Sequence, residues 1–119
     1  MLLGSLKGDY AFRRLQKGQA GYSKYLSVRW RGDQEGRIRV GIIVTKKLGK
    51  AVKRNLVRRR LLEALRALLR EVNFMQGALF KKMPSFSLLI IARPEAVQAT
   101  YKELEQSLRH ALIRAKLIQ

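Results

Sequence analysis

The sequence predicts a single α+β domain, a two-layer sandwich in which about four strands form one sheet and helices cover it. Three observations support this. The chain has 119 residues, 47% of them hydrophobic, enough for one compact core. Short runs rich in β-branched residues alternate with longer segments of helical periodicity. No repeat and no Ser-, Gly- or Pro-rich linker divides residues 1–119, of which 1–7 are expected to be flexible.

The first part of the chain predicts a helix and a β-hairpin. Residues 8–17 have apolar side chains at helical spacing and are followed by Gly18, which favours a helix end. Polar and apolar residues alternate from Lys24 to Arg31, as in a strand. A Gly- and Asp-containing turn then leads to the β-branched stretch Arg37 to Thr45. A further short strand within residues 37–47 remains an alternative.

The second part predicts two amphipathic helices around a buried strand. Apolar residues at 57, 61, 65, 68 and 72 indicate a helix from Ala51 to Val72. Residues 73–84 are a connection, and Ser85 to Ala92 is a short apolar strand. Pro94 then occupies a favourable first helical position, before an apolar stripe from Val97 to Ala115. The predicted order is helix, strand, strand, helix, strand, helix.

The charge predicts a polyanionic partner. Lys and Arg number 26 and Asp and Glu number 8, so the net charge is +18. A folded domain this basic is typical of nucleic-acid binding, with an anionic membrane surface as the weaker alternative. No apolar run approaches the roughly 20 residues of a membrane span, and no signal-peptide pattern is evident. We therefore expect a cytoplasmic protein.

Catalytic groups are not evident. The chain has no Cys and one histidine, His110, to which we assign no role. The eight carboxylates show no metal-ligand or paired acid–base spacing, and no phosphate-binding glycine motif occurs. We expect no catalytic residue, no bound metal and no small-molecule cofactor in this chain.

The densest signal is a basic segment, residues 46–60, which has eight cations and no acidic residue. It follows a strand, crosses Gly49 and enters the predicted helix, so its cations and the free N–H groups of the first turn can meet phosphates together. A solvated helix face or a localisation signal is the alternative. The apolar stripe on the opposite side fixes where the charges point, which favours binding to a nucleic-acid backbone.

Aromatic residues are concentrated near the start, interleaved with cations, at Tyr10, Phe12, Tyr22, Tyr25 and Trp30. Stacking combined with positive charge is typical of proteins that hold unpaired strands. Core packing is the alternative, particularly for Phe12 and Trp30.

The segment from Gly41 to Arg66 resembles the signature of the protein subunit of bacterial ribonuclease P. Its residues follow the order G-x-x-V-[ST]-K-K-x-G-x-A-V-x-R-N and continue into a basic helix. The resemblance extends to Phe12 before Gly18 and to Tyr101-x-x-Leu104, and so covers nearly the whole chain. It implies an α+β sandwich with a left-handed βαβ crossover, an exception to the usual right-handed rule.

The resemblance also implies a function. In that family the RNA subunit performs the magnesium-dependent endonucleolytic removal of the 5′ leader from precursor tRNA, and the protein binds this RNA and the leader. Mg²⁺ is therefore expected with the RNA subunit. The predicted RNA-binding residues are Lys46, Lys47, Lys50, Lys53, Arg54, Asn55, Arg58, Arg59, Arg60 and Arg66. The predicted leader-binding residues are Phe12, Arg13, Val28 and Arg29.

Two departures from the family pattern occur in the basic helix. Leu56 stands where the signature usually has Arg after Arg54-Asn55, and Leu62 stands where Arg is frequent. Arg60 is a candidate replacement for the first, about 40° away around the helix.

Two other functions remain open. A structural RNA-binding protein, such as a ribosomal protein, would satisfy the same composition. A DNA-binding helix at residues 51–72 lacks a recognisable helix-turn-helix partner.

Overall fold

The computed structural model describes residues 3–5, 15, 18–33, 36–71 and 85–118. Within them, five strands form one mixed sheet and two α-helices pack against it. The strands are β1 (Leu3–Ser5), β2 (Gln19–Tyr22), β3 (Leu26–Gly32), β4 (Ile38–Ile43) and β5 (Phe86–Ala92); the helices are α1 (Ala51–Glu71) and α2 (Tyr101–Arg114). Short 3-10 helices span Lys46–Leu48 and Pro94–Gln98.

The sheet has the strand order β1-β4-β5-β3-β2. Strands β1, β4 and β5 are mutually parallel, whereas β3 runs antiparallel to both β5 and β2. The segment containing α1 connects the adjacent parallel strands β4 and β5, which makes a βαβ unit. The α+β class is confirmed, and the left-handed crossover stays an implication of the family resemblance.

The sheet has one more strand than predicted. Residues 3–5, which we expected to be flexible, pair with β4, and β2 was not predicted. Neither strand has a readable pattern, because β1 spans three residues and β2 contains the weak strand formers Ala20 and Gly21. The optional further strand within residues 37–47 is absent from the described chain, where Ile38–Ile43 is one strand and Lys46–Leu48 is a 3-10 helix.

One hydrophobic core lies between the helices and one face of the sheet. The predicted stripe of α1 is confirmed at residues 57, 61, 65 and 68, which are almost fully buried, while residue 72 lies outside the described residues. Trp30 belongs to this core: its Nε1 donates to the carbonyl of Ala115 at 2.7 Å, and its ring meets Phe86 edge-on. We call the covered side of the sheet the inner face and the opposite side the outer face.

The last helix begins later than predicted. Pro94 starts a separate 3-10 helix, and α2 begins at Tyr101 after the N-cap residue Thr100. The Thr100 hydroxyl accepts from the N–H of Glu103 at 3.1 Å, and the Glu103 carboxylate accepts from the N–H of Thr100 at 3.0 Å. This reciprocal capping box satisfies two otherwise unpaired N–H groups, so it determines the helix start.

Strand β2 lies unusually close to α2. A Cβ atom on Gly21 would come within 2.0 Å of the carbonyl oxygen of Ala111, so only glycine fits there. The turn after β2 is also fixed to α2, because the Ser23 and Ser107 hydroxyls lie 2.5 Å apart and Ser107 accepts from the N–H of Tyr25. These contacts place α2 on the inner face. Within the described residues, none of the helices is sufficiently long and apolar for a transmembrane span.

Candidate nucleic-acid interface

The basic segment begins in a tight turn after β4. Leu48 is buried and anchors the 3-10 helix, whose backbone closes through the N–H of Leu48 donating to Thr45 and that of Gly49 donating to Lys46. Lys46 and Lys47 therefore lie exposed on the outside of the turn. Gly49 has φ +122°, a conformation that side chains disfavour, and it redirects the chain into α1.

The N-terminal end of α1 attracts anions. Its first turn contains no acidic residue, and the exposed cations Lys50 and Lys53 flank it. The first N–H groups of a helix have no intrahelical acceptor, and the helix dipole adds partial positive charge there. Backbone and side chains thus present positive potential in the same place.

The basic side chains of α1 surround its exposed side. Arg59 lies about 160° from both Val57 and Leu61 of the buried stripe, so it points away from the core. Arg58 and Arg60 lie on opposite flanks, also about 160° apart. The exposed predicted RNA-binding residues are Lys46, Lys47, Lys50, Lys53, Asn55, Arg58, Arg59 and Arg66, and the half-buried ones are Arg54 and Arg60.

Three of these arginines have distinct surroundings. Arg58 donates through Nη1 to the Asn55 side-chain oxygen at 3.0 Å, which orients both groups on the surface. Arg60 donates through Nη1 to the carbonyl of Ala99 at 3.2 Å and so connects α1 to the segment before α2. The Nε of Arg54 is buried and has no hydrogen-bond partner among the described residues. Arg60 therefore makes a contact within the fold, whereas Arg58 is paired with a neighbouring side chain on the exposed surface.

A second candidate surface is the outer face of the sheet. Tyr22, Ser27, Ile91 and Ile43 are successive cross-strand neighbours and so point to the same side. Leu15, which is helical, covers part of this face by packing against Leu89, Ile43 and Ile91. Tyr22 remains 52% exposed at the β2 edge. An aromatic ring thus stands beside an apolar patch.

Arginines border this patch. Arg29 lies one row away, between its cross-strand neighbours Ala20 and Leu89. Arg39 lies in the following row, with Nη2 at 3.6 Å from the Asp33 carboxylate. An apolar centre with arginines along one side suits an unpaired nucleic-acid strand, whose bases are flat and whose phosphates are negative.

Comparisons with known proteins agree with this geometry. The sequence profile of the family described as Ribonuclease P matches residues 4–116. The chain belongs to the ribonuclease P protein family. It is similar to the ribonuclease P protein component of Thermus brockianus, at 49% identity over 98% of this chain, and of Clostridioides difficile, at 34% identity over 94% of this chain and 91% of that protein. The chain spans 63% of the length of the Thermus brockianus relative.

Solved structures of ribonuclease P proteins share the fold. The Staphylococcus aureus RNase P protein superposes with a TM-score of 0.78 at 27% identity, covering 97% of each chain. The Thermotoga maritima RNase P protein, at 23% identity, superposes with a TM-score of 0.69 over 92% of this chain and 96% of that one.

The structure corrects one predicted leader contact of this ribonuclease P family member. Val28 is 0% exposed and lies in the core, so its side chain is not available to an RNA strand. Successive strand residues point to opposite faces, and the outer-face neighbours of Val28 are Ser27 and Arg29. Phe12 and Arg13 lie outside the described residues.

The predicted aromatic cluster likewise contains both buried and exposed residues. Trp30 is a core residue, and the Tyr25 hydroxyl donates to the Glu103 carboxylate of α2 at 3.0 Å. Tyr10 lies outside the described residues, as Phe12 does. Of the described aromatic residues, Tyr22 is the one exposed on the outer face. Alternation separates the two faces of a strand, but it does not show which face the helices cover.

Two of the described acidic groups have structural partners. Asp33 accepts from the Ser85 hydroxyl, and Glu103 caps α2. Hydrogen bonds from the Thr100 backbone and from Tyr25 lower the pKa of Glu103. No group of three His, Asp or Glu side chains within the described residues is placed to hold a metal ion. His110 is exposed on α2. We assign no metal to the described part of the chain.

Proposed function

We propose that this chain is the protein subunit of ribonuclease P. It binds the catalytic RNA subunit and the 5′ leader of precursor tRNA, and it assists endonucleolytic removal of the leader. The RNA subunit and its Mg²⁺ supply the hydrolytic chemistry, and this chain supplies positioning and positive charge. This function also implies a cytoplasmic location, where precursor tRNA is processed.

The rigid basic surface of α1 is the observation that supports the RNA-binding role. Its buried stripe fixes the rotation of the helix, so the exposed cations keep their spacing without the partner. A rigid array loses little conformational entropy when it meets a folded RNA backbone. Each phosphate that it neutralises also releases condensed counterions.

Arg54 and Arg58 are the best-defined RNA contacts on this surface. Arg54 is half-buried near the start of the helix, so a phosphate at the exposed part of its side chain would neutralise its charge. Arg58 is already oriented by Asn55, so it can engage a phosphate with little rearrangement.

The outer face of the sheet is the proposed leader surface. The exposed ring of Tyr22 can stack on a base, and Arg29 lies along the same strand pair. The family resemblance assigns Phe12 and Arg13 to leader binding as well. Separate surfaces for folded RNA and for the leader allow one small domain to contact both.

Reconstitution tests the proposal directly. Purified protein is added to a bacterial ribonuclease P RNA and a precursor tRNA at a Mg²⁺ concentration where the RNA alone is slow. We expect protein-dependent cleavage at the mature 5′ end and no cleavage by the protein alone. RNA binding without stimulation would favour the structural RNA-binding alternative. Specific cleavage by protein freed of RNA would contradict the assignment of chemistry to the RNA.

A further inference from the structure

Two apolar side chains interrupt the basic surface of α1. Val52 is 79% exposed and Leu56 is 39% exposed, although most large hydrophobic residues of the described chain are buried. They are four residues apart, so they are neighbours on the same side of the helix. We call them the apolar pair.

Cations border the apolar pair. Lys53 precedes Leu56 by three residues and Arg59 follows it by three, and both are exposed. The other neighbour, Arg60, donates to the carbonyl of Ala99. One of its N–H groups is therefore already engaged, which makes Arg60 a weaker replacement for the arginine that the family signature has at position 56. Leu56 itself is the group that this position offers to a partner.

The size and charge of this surface identify the partner. A stable protein interface needs roughly 20–30 residues on each side, and the apolar pair supplies two. The surrounding positive charge favours a polyanion. A nucleic acid combines phosphates with apolar base faces and ribose carbons at the same short spacing.

We propose that the apolar pair contacts a nucleoside of the RNA subunit, while Lys53 and Arg59 bind the adjacent phosphates. This inference rests on the proposed function and adds a contact to it. Leu56 replaces a salt-sensitive phosphate contact with an apolar contact that releases no counterion. The affinity contributed by this position therefore does not vary with salt concentration.

The test compares Leu56→Ala with Ile113→Ala by titrating each protein into a bacterial ribonuclease P RNA across a range of salt concentrations. Ile113 is a matched control because it is 41% exposed, lies on α2 outside the basic segment and loses the same number of carbon atoms. We expect Leu56→Ala to raise Kd about fivefold at every salt concentration. The slope of log Kd against log salt stays that of the unsubstituted protein, and Ile113→Ala has no effect.

Three results would overturn the inference. These are an unchanged Kd for Leu56→Ala, an equal loss for Ile113→Ala, and tighter binding with a steeper salt slope for Leu56→Arg, which would show that a phosphate faces this position. Alanine has the highest intrinsic helix propensity, so both alanine variants should remain folded, and urea unfolding of each variant checks this. Arg59→Ala on the same RNA distinguishes the two proposals. If it flattens the slope while Leu56→Ala binds normally, RNA binding stands and the apolar contact fails.

Discussion

Arg59 and Arg60 are adjacent arginines that we expect to have opposite roles. Arg59 points directly away from the core and is exposed, whereas Arg60 is half-buried and donates to the Ala99 carbonyl. Arg59→Ala should therefore weaken RNA binding without altering stability. Arg60→Ala should lower the free energy of unfolding and leave the salt dependence of binding nearly unchanged.

The magnitudes follow from the two environments. Losing one phosphate contact makes the slope of log affinity against log salt shallower by about 0.7 to 0.9. A fourfold increase in salt should therefore weaken RNA binding by the Arg59 variant about threefold less than it weakens binding by the unsubstituted protein. Losing a charge-assisted hydrogen bond in a half-exposed site costs about 1 kcal/mol. For the Arg60 variant this moves the urea midpoint down by about 0.5 M.

The assay is a salt series of RNA-binding titrations, accompanied by urea unfolding of each variant. Both substitutions remove the same +1 charge, so a nonspecific effect of net charge would alter both slopes equally. Equal slope changes would refute the division of roles that we derive from the Ala99 contact. A slope change for the Arg60 variant alone would show that Arg60, and not Arg59, binds a phosphate.

Three further predictions concern the leader surface, β2 and α2. Phe12→Ala should weaken binding of precursor tRNA by roughly five- to a hundredfold and reduce the preference over mature tRNA, measured in the assembled enzyme after a thermal melt has confirmed folding; an unchanged preference would exclude Phe12 from the leader surface. Gly21→Ala should cost about 2 kcal/mol in urea unfolding, because the new Cβ meets the Ala111 carbonyl, and an unchanged midpoint would contradict that close approach. Hydrogen-bond partners lower the pKa of Glu103, so the stability that its carboxylate contributes is present at pH values above its ordinary pKa of 4.5 and is lost as the pH falls through the lowered pKa. The thermal midpoint of Glu103→Gln should therefore decrease less on acidification than that of the unsubstituted protein, and parallel curves would argue against the capping box.

The long elements and the basic character of α1 could be predicted from the sequence alone. Helix α1 was predicted to within one residue at its end, because apolar residues such as Val57 and Leu61 recur at helical spacing over about four turns. The ordered signature around Arg54 and Asn55 identified the family, since such a long match depends on the order of residues and not on tertiary contacts. Strand β5 was predicted from its continuous apolar run.

Which side of each element is exposed depends on tertiary contacts. Val28 and Ser27 are adjacent on β3, and only the placement of both helices on the inner face makes the first a core residue and leaves the second outside. The roles of Arg59 and Arg60 likewise separate only when Ala99, 39 residues beyond Arg60, comes within hydrogen-bond distance. Sequence patterns report local periodicity, whereas burial and hydrogen-bond partners depend on contacts between residues far apart in the chain.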